Sequence, residues 1–418
     1  MQAANAMTAR MLPLLLAGML ACQPAAAMQD SYLGRIKDAE ARLGGADVFA
    51  RLEAMTLDAQ LAFARSHRAQ FDVLRNVRSL AGDATGAAQA ALWFEITDPA
   101  EAHKLAAKPG ELDALVAEDA VQAIVREAKQ RQIVILNEAH HIPLHRVFAA
   151  RLASELRKIG YQYLAAETFA SDVPAHPAFP MQVGGYYVRE PMYAGFVRGA
   201  LREGWTFVGY DPDVRGAPPQ ERSRLREVGA ARNIVAKTFA SNPQAKVLMY
   251  VGYGHGQKHQ WGNGHKSVGL LLKETTGLDP LSIDQTAMYG RGDARTDRPQ
   301  YRAAMARFAP ATPIVLKNAA GGYAVQGGLP GYDMQVFHPD ETAHGPHGRP
   351  LWMERRAGLK PQPVPVDLLP ATGRRLVQAF HAADGRGAIP ADQVMVEAGK
   401  PAPSFMLPEG QFRFGFEE

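Results

Sequence analysis

Two hydrophobic periods alternate along the chain. Between residue 28 and about residue 130, apolar positions recur at helical spacing among Ala, Leu, Arg and Glu. In ELDALVAEDAVQAIVREAKQ, for example, Leu112, Leu115, Val116, Val121, Ile124 and Val125 fall on one broad face, which predicts a helix leading into the next segment. From residue 131 to about 318 the pattern becomes short apolar runs separated by helical stretches. The candidate strands are IVIL (133 to 136), YQYLAA (161 to 166), WTFVGY (205 to 210), KVLMYVG (246 to 252), LSI (281 to 283) and PIVL (313 to 316). Between the first two, HIPLHRVFAARLASELRKIG has an apolar stripe, Pro143 near its start and Gly160 at its stop, as a crossover helix requires. Helical stretches over residues 191 to 203 and 219 to 240 follow the same logic.

Strand and helix alternating in this way predict an α/β fold, three-layer α/β/α, around a mostly parallel sheet. Past residue 319 the helical period fades into Gly- and Pro-rich segments with short alternating runs, predicting an accessory β-rich C-terminal tail with one helix near ATGRRLVQAFHAA. The expected organisation is a leader over 1 to 27, a helical region over 28 to 130, the α/β domain over 131 to 318, and the accessory region over 319 to 418.

The leader reading rests on Arg10, the short apolar run MLPLLLAGMLA, and Ala25-Ala26-Ala27, an arrangement that suits an export signal peptide. That run is too short to span a membrane as a helix. The single cysteine, Cys22, lies directly after it, where a bacterial lipoprotein carries its acylated residue, although Met19 and Leu20 depart from the usual pattern. Two fates stay open: plain cleavage with release into the periplasm, or a lipid anchor at Cys22. The expected localisation is exported, with membrane contact only through that anchor. One cysteine excludes an intrachain disulfide. A formal charge of +4, spread over 46 basic and 42 acidic residues without a long basic block, argues against a nucleic-acid partner.

In open parallel sheets, ligands bind outside the carboxyl ends of the strands. There the sequence places Glu138, His140 and His141 after the first predicted strand and Glu167 after the second. Asp211 and Asp213 follow the third, His255 and then His259 the fourth, and Asp284 and Gln285 the fifth. A lone histidine in such a place is usually a loop residue that finds a hydrogen bond. Several acids and imidazoles on one rim are a different matter, and a carboxylate ending an apolar strand is costly unless paired or bound. His255, between Gly254 and Gly256, sits where backbone can approach a ligand closely. His141, His145, His259 and His265 suit surface or supporting roles by default. A Glu with two or three His on one rim supports two chemistries, a divalent metal that activates water or an imidazole acting as general base. No Walker loop, nucleophile-elbow G-x-S-x-G or helical H-E-x-x-H is present.

Asn137-Glu138-Ala139-His140, AAET ending in Glu167, the Arg232-Asn233 helix and Gly252-Tyr253-Gly254-His255 together resemble the superfamily that joins erythromycin esterases, ChaN haem-binding lipoproteins and Tiki/TraB proteins. There a G-E-x-H motif and a distant G-x-x-H motif meet at the carboxyl edge of the sheet. Asn137 stands where the family has Gly, and the match covers about residues 131 to 290. The resemblance implies a fold more than an activity. It implies an exported hydrolase in which Glu138, His140, Glu167 and His255 act on a small-molecule or peptide substrate. Glu138, His140 and His255 would hold any divalent metal, with Arg232, His141, Asp211 and His259 as binding residues. The alternative is a haem- or metal-binding envelope protein without turnover, with Tyr186, Tyr187, Tyr253, His141 and His259 as candidate axial ligands. A third is a rim retained only for a binding partner.

Overall fold

The computed structural model describes residues 31–95, 111–261, 264–292, 296–327, 329–385 and 387–418. The expected leader and Cys22 lie outside them. Eight strands form the main sheet: β1 (Val116–Asp119), β2 (Ile133–Glu138), β3 (Tyr163–Ala166), β4 (Thr206–Gly209), β5 (Val247–Gly252), β6 (Leu281–Met288), β7 (Ile314–Lys317) and β8 (Met334–Phe337). Their order is β1-β7-β8-β6-β2-β5-β3-β4. Every pairing from β8 through β4 is parallel, whereas β7 runs antiparallel to both its neighbours.

Alternation along β2 explains the layers. Val134 and Leu136 join one core with Phe148, Leu152, Phe196 and Val197, from the helices Pro143–Lys158 and Pro191–Arg202. Ile133 and Ile135 join another with Ile234, Val268 and Leu272, from Pro219–Lys237 and Val268–Thr276. With both faces covered, β2 and β5 are buried at every position, which is why they read as unbroken apolar runs.

The sheet is wider than the sequence pattern predicts, taking one strand from each flanking region. Val116, expected on a helix, lies in β1, and the helix Ala120–Ala128 begins only after Asp119, whose side chain accepts from Gln122 N at 3.0 Å. β8, from the segment expected to be an accessory tail, inserts between β6 and β7. The helix expected near residues 371 to 383 is instead the strand β10 (Arg374–His381). Its alternation decides this: Leu376 packs into the core of the N-terminal helices, while Val377 and Ala379 pack into the tail's own core. β10 is flanked by β11 (Asp392–Glu397) and β13 (Phe412–Glu417), and β9 (Leu359–Gln362) pairs with β12 (Phe405–Pro408).

Head and tail are fastened together. Glu40, on the first helix (Tyr32–Arg42), accepts from Arg78 at 2.6 Å and from Arg374 of β10 at 2.9 and 2.5 Å. Glu417 accepts from Ser31 Oγ at 2.9 Å and from Leu33 N at 3.1 Å, at the start of that helix. Among the described residues, no helix is long and apolar enough to cross a membrane.

Candidate active site at the carboxyl rim

β2, β5 and β3 lie side by side, so their ends deliver Glu138, Gly252 and Glu167 to one stretch of rim. Glu138 is buried. Its Oε1 accepts from His140 Nδ1 at 2.8 Å and its Oε2 from Arg146 Nε at 3.0 Å. Arg146 reaches on to Glu190 Oε2 at 3.0 Å and to the His140 carbonyl at 2.6 Å. Burial would raise the Glu138 carboxyl, but the Arg146 charge and the His140 hydrogen bond outweigh it and bring its pKa down to about 2. Glu190 goes the other way, since burial prevails over Arg146 and raises it.

His140 is clamped between rings. It stacks on Tyr187 at 4.0 Å and meets Tyr253 edge-on at 5.2 Å. With Nδ1 turned to Glu138, its Nε2 is the free atom, and it lies over Gly252. A Cβ on Gly252 would sit 2.5 Å from that nitrogen and 2.8 Å from Glu167 Oε2, so only glycine admits both groups here. Glu167 Oε2 also accepts from Gly252 N at 2.5 Å, and Oε1 accepts from Arg226. Burial opposes ionisation of Glu167, yet His140, His255 and Arg226 together lower its pKa.

The second imidazole repeats the pattern of the first. His255 turns Nδ1 to the buried Glu227, and Glu227 Oε2 is fixed by Val268 N at 2.7 Å. His255 Nε2 lies 3.9 Å from Glu167 Oε1 and 3.3 Å from Arg226 Nη1. Burial lowers the His255 pKa, but the hydrogen bond to Glu227 and the charges of Glu167 and Glu227 prevail, leaving it above the ordinary histidine value. These contacts suit two protonation states. A neutral ring accepts from Arg226, and a protonated one has Glu167 as its counter-charge. Arg226 is itself held by Asp211 at 2.6 to 3.0 Å. Burial raises the Asp211 pKa despite that partner.

Tyr253 carries backbone strain. Its φ of 42° is left-handed, rare for an aromatic residue, and its carbonyl accepts from Asn137 Nδ2 and from Tyr332 Oη, both at 2.9 Å. Asn137, where the resembled family has Gly, therefore ties the β5 loop to β2.

The rim thus gathers Glu138, His140, Glu167, Asp211 and His255. It does not gather Arg232, which is exposed on the far side of its helix beside Leu271. On the helix Pro219–Lys237, Arg226, Glu227 and Ala230 face the site, and position 232 is turned away. His259 meets Trp261 edge-on at 5.1 Å outside the site. His141 points the other way from His140, buried, with Nδ1 3.4 Å from the Tyr253 hydroxyl. Asp213 pairs with exposed Arg215, and Asp284 and Gln285 hold Asn137 from beneath.

Glu138, His140 and His255 do not assemble as a metal-ligand set. Glu138 is committed to Arg146 and His140, and a guanidinium stands beside His255 Nε2, where a bound cation would be repelled. No cluster of three acidic, His or Cys side chains suited to a metal occurs among the described residues.

Sequence reasoning missed Arg146, Glu190, Arg226 and Glu227, and it named Tyr187 only as a candidate haem ligand, not as the ring that stacks on His140. A signal for Glu227 existed: it shares helical spacing with Ala230, Ala231 and Ile234, a small-residue face made for close packing on a sheet. Gly229 confirms the closeness, since a Cβ there would lie 2.7 Å from Pro212.

No family model matches this chain, and no curated protein does. Among solved structures, it is similar to the type III effector HopBA1 at 14% identity and a TM-score of 0.33, over 53% of this chain and 93% of that one. ChaN of Campylobacter jejuni, with cofacial haem, is similar at 12% identity and a TM-score of 0.31, over 43% and 89%. RRSP, a MARTX toxin effector domain from Vibrio vulnificus, is similar at 15% identity and a TM-score of 0.26, over 51% and 45%. No family model shows the superfamily read from the motifs.

Proposed function

We propose that the protein is an exported hydrolase that cleaves an ester or amide by acid–base chemistry between two imidazoles. The observation that carries this reading is the pairing of His140 with Glu138 and of His255 with Glu227 through Nδ1, which leaves both Nε2 atoms facing Glu167. A carboxylate on Nδ1 fixes the tautomer and orients the ring, as a general base or acid requires.

The roles follow from the hydrogen bonds. His140, donating Nδ1–H to Glu138, turns its Nε2 to the site and takes a proton there from the attacking water. His255, with its raised pKa, delivers a proton from Nε2 to the leaving group. Arg226 stands beside that nitrogen and stabilises charge developing on the carbonyl oxygen. Glu167 supports both imidazolium states and holds Arg226 in place.

Two alternatives have less support. The donor set does not suit a divalent metal, for the reasons above. For haem, Tyr253 directs its hydroxyl to the buried His141, so that pair presents no open axial ligand. Export, with release or a lipid anchor at Cys22, belongs to this reading as a proposal from the leader sequence.

The test is a panel of uncharged aryl esters and amides assayed with wild type and His255→Ala. Turnover by wild type that His255→Ala loses, with unfolding behaviour unchanged, supports the reading. Equal rates in both proteins sink it.

A further inference from the structure

At the end of β2 the backbone ladder is one-sided. Toward β5 the pairing runs on to Glu138 and Gly252, whereas toward β6 it stops at Leu136 and Ile283, and β6 shifts its register on β8 between Asp284 and Met288. On that side the turn carrying His140 is left to side chains. Ala139 is buried, and its N–H, a donor that needs an acceptor, reaches His145 Nδ1 at 3.1 Å. The Asn137 carbonyl accepts from Gln285 Nε2 at 2.7 Å, and Gln285 N donates to Asn137 Oδ1 at 2.7 Å. The backbone is thus held immediately before and immediately after Glu138.

Partners that only donate or only accept decide the state of each group. A backbone N–H donates, so His145 Nδ1 carries the lone pair and the ring proton is on Nε2. Two backbone carbonyls, Asn137 O and, at 3.3 Å, His145 O, face Gln285 Nε2, so Gln285 Oε1 turns to His338 and accepts from its Nε2 at 3.1 Å. His338 directly follows β8, and so the region expected to be accessory orients a side chain beneath the rim. The His145 ring is completely buried, with Tyr289 edge-on at 5.0 Å and His338 at 5.4 Å. Burial, reinforced by His338, keeps its pKa well below the ordinary histidine value, so the Nδ1 lone pair is retained.

We propose that His145 is a positioning residue for the reaction at the rim: its Nδ1 holds the Ala139 N–H and so fixes where His140 Nε2 stands over Gly252, while Gln285 holds Asn137 on the other side of Glu138. His145 touches no reacting atom and acts through the turn. Displacing a general base by about 1 Å costs about 10²-fold in rate. The role in the reaction rests on the hydrolase reading; the hold on Ala139 does not.

The experiment varies the acceptor at this one position. In His145→Asn an amide oxygen takes the place of Nδ1, in His145→Gln the amide lies nearer the place of Nε2, and His145→Leu fills the space with no acceptor. Two quantities are read in variants whose fold is confirmed by circular dichroism: kcat and KM on an ester that wild type turns over, and hydrogen exchange of the Ala139 amide, which needs no substrate. His145→Leu and His145→Gln should lower kcat about 10²-fold with KM within about twofold. Their Ala139 amide should exchange about tenfold faster, and His145→Asn should recover most of both losses. Should His145→Leu fail to fold, the contrast between His145→Asn and His145→Gln decides. Wild-type kcat or unchanged Ala139 exchange in a folded variant lacking the acceptor overturns the proposal, and so does His145→Asn no better than His145→Gln. No turnover by wild type sinks the hydrolase reading and the reaction role with it; turnover by wild type that the folded variants keep sinks this proposal alone.

Discussion

His255 Nε2 lies 3.9 Å from Glu167 Oε1 while its Nδ1 is bound to Glu227, so one imidazole is oriented by a helix and charged by a strand end. Glu227 does not face the reacting atoms. It acts through His255. Glu227→Gln keeps the shape but cannot hold Nδ1–H as a charged acceptor. The expected outcome is a fall in kcat of about 10²- to 10⁴-fold with little change in KM. Steady-state kinetics on an ester found active with wild type decides it. A kcat within a factor of two of wild type would remove Glu227 from this role.

Arg226 and Arg232 give a sharper contrast, because the two arginines share one helix and differ in facing. Arg226→Ala removes the cation beside His255 Nε2 and should cost about 10²–10³-fold in kcat. Arg232→Ala removes an exposed side chain and should leave the rate unchanged and stability within about 0.5 kcal/mol. Rate loss in Arg232→Ala with Arg226→Ala unaffected would reverse the assignment.

This pair also marks where the sequence stops being informative. Strand-end residues were legible because an apolar run that ends in Glu138, Glu167 or Gly252 fixes which end of the sheet they occupy, although His141, His259 and Asp213 show that it does not fix the facing of each residue beyond it. A helix offers no such endpoint. An arginine six positions from another differs in facing by about a third of a turn, and only packing of Ala230 and Ala231 against the sheet settles which one points inward. The parallel body of the sheet was legible for the same reason, in its fully buried apolar runs. β1 and β8 were not: VAED has no buried position and sits inside a run that continues at helical spacing, and MQVF stands alone in a Gly- and Pro-rich stretch. β10 was misread as a helix because it buries residues on both faces, so its alternation of polar and apolar positions is blurred.

The triad Glu138–Arg146–Glu190 stakes stability on one guanidinium. All three residues are buried, and Arg146 is the cation that both carboxylates share. Arg146→Met fits the space yet leaves two buried acids without a counter-charge. A loss of about 3–5 kcal/mol is expected in denaturant unfolding. Adding Glu138→Gln and Glu190→Gln to Arg146→Met should recover part of that loss, because the uncompensated charge is then gone. If Arg146→Met alone unfolds like wild type, the triad carries no such burden.

Glu40 joins regions far apart in sequence. It is buried between Arg78 and Arg374, so Glu40→Ala leaves two guanidinium groups short of an acceptor across the junction of helices and tail. Destabilisation by about 1–3 kcal/mol is expected. Hydrogen exchange should show faster exchange in β10 and in the helix Arg68–Leu80 together, while β2 and β5 stay protected. Faster exchange confined to one side of the junction would mean the two regions hold their structure separately.

pH separates the two carboxylate–imidazole pairs. The His255 pKa is raised above 6.5, so its favourable interaction with Glu227 and Glu167 is complete below 6.5 and is lost as pH rises through the folded value. Turnover that needs the protonated ring should fall on that same alkaline limb. Glu227→Gln should move the limb to lower pH, because the acceptor that raises the pKa has been weakened. Glu138 has the opposite sign. With its pKa brought down from 4.5 to about 2, its contribution to stability is present above 4.5 and is lost as pH falls toward 2, so acid unfolding of wild type should begin below 4.5. Glu138→Gln should flatten that acid dependence without shifting the alkaline limb of the rate. A single substitution that moved both limbs together would mean the pairs titrate as one unit, and the separate roles assigned to His140 and His255 would fail.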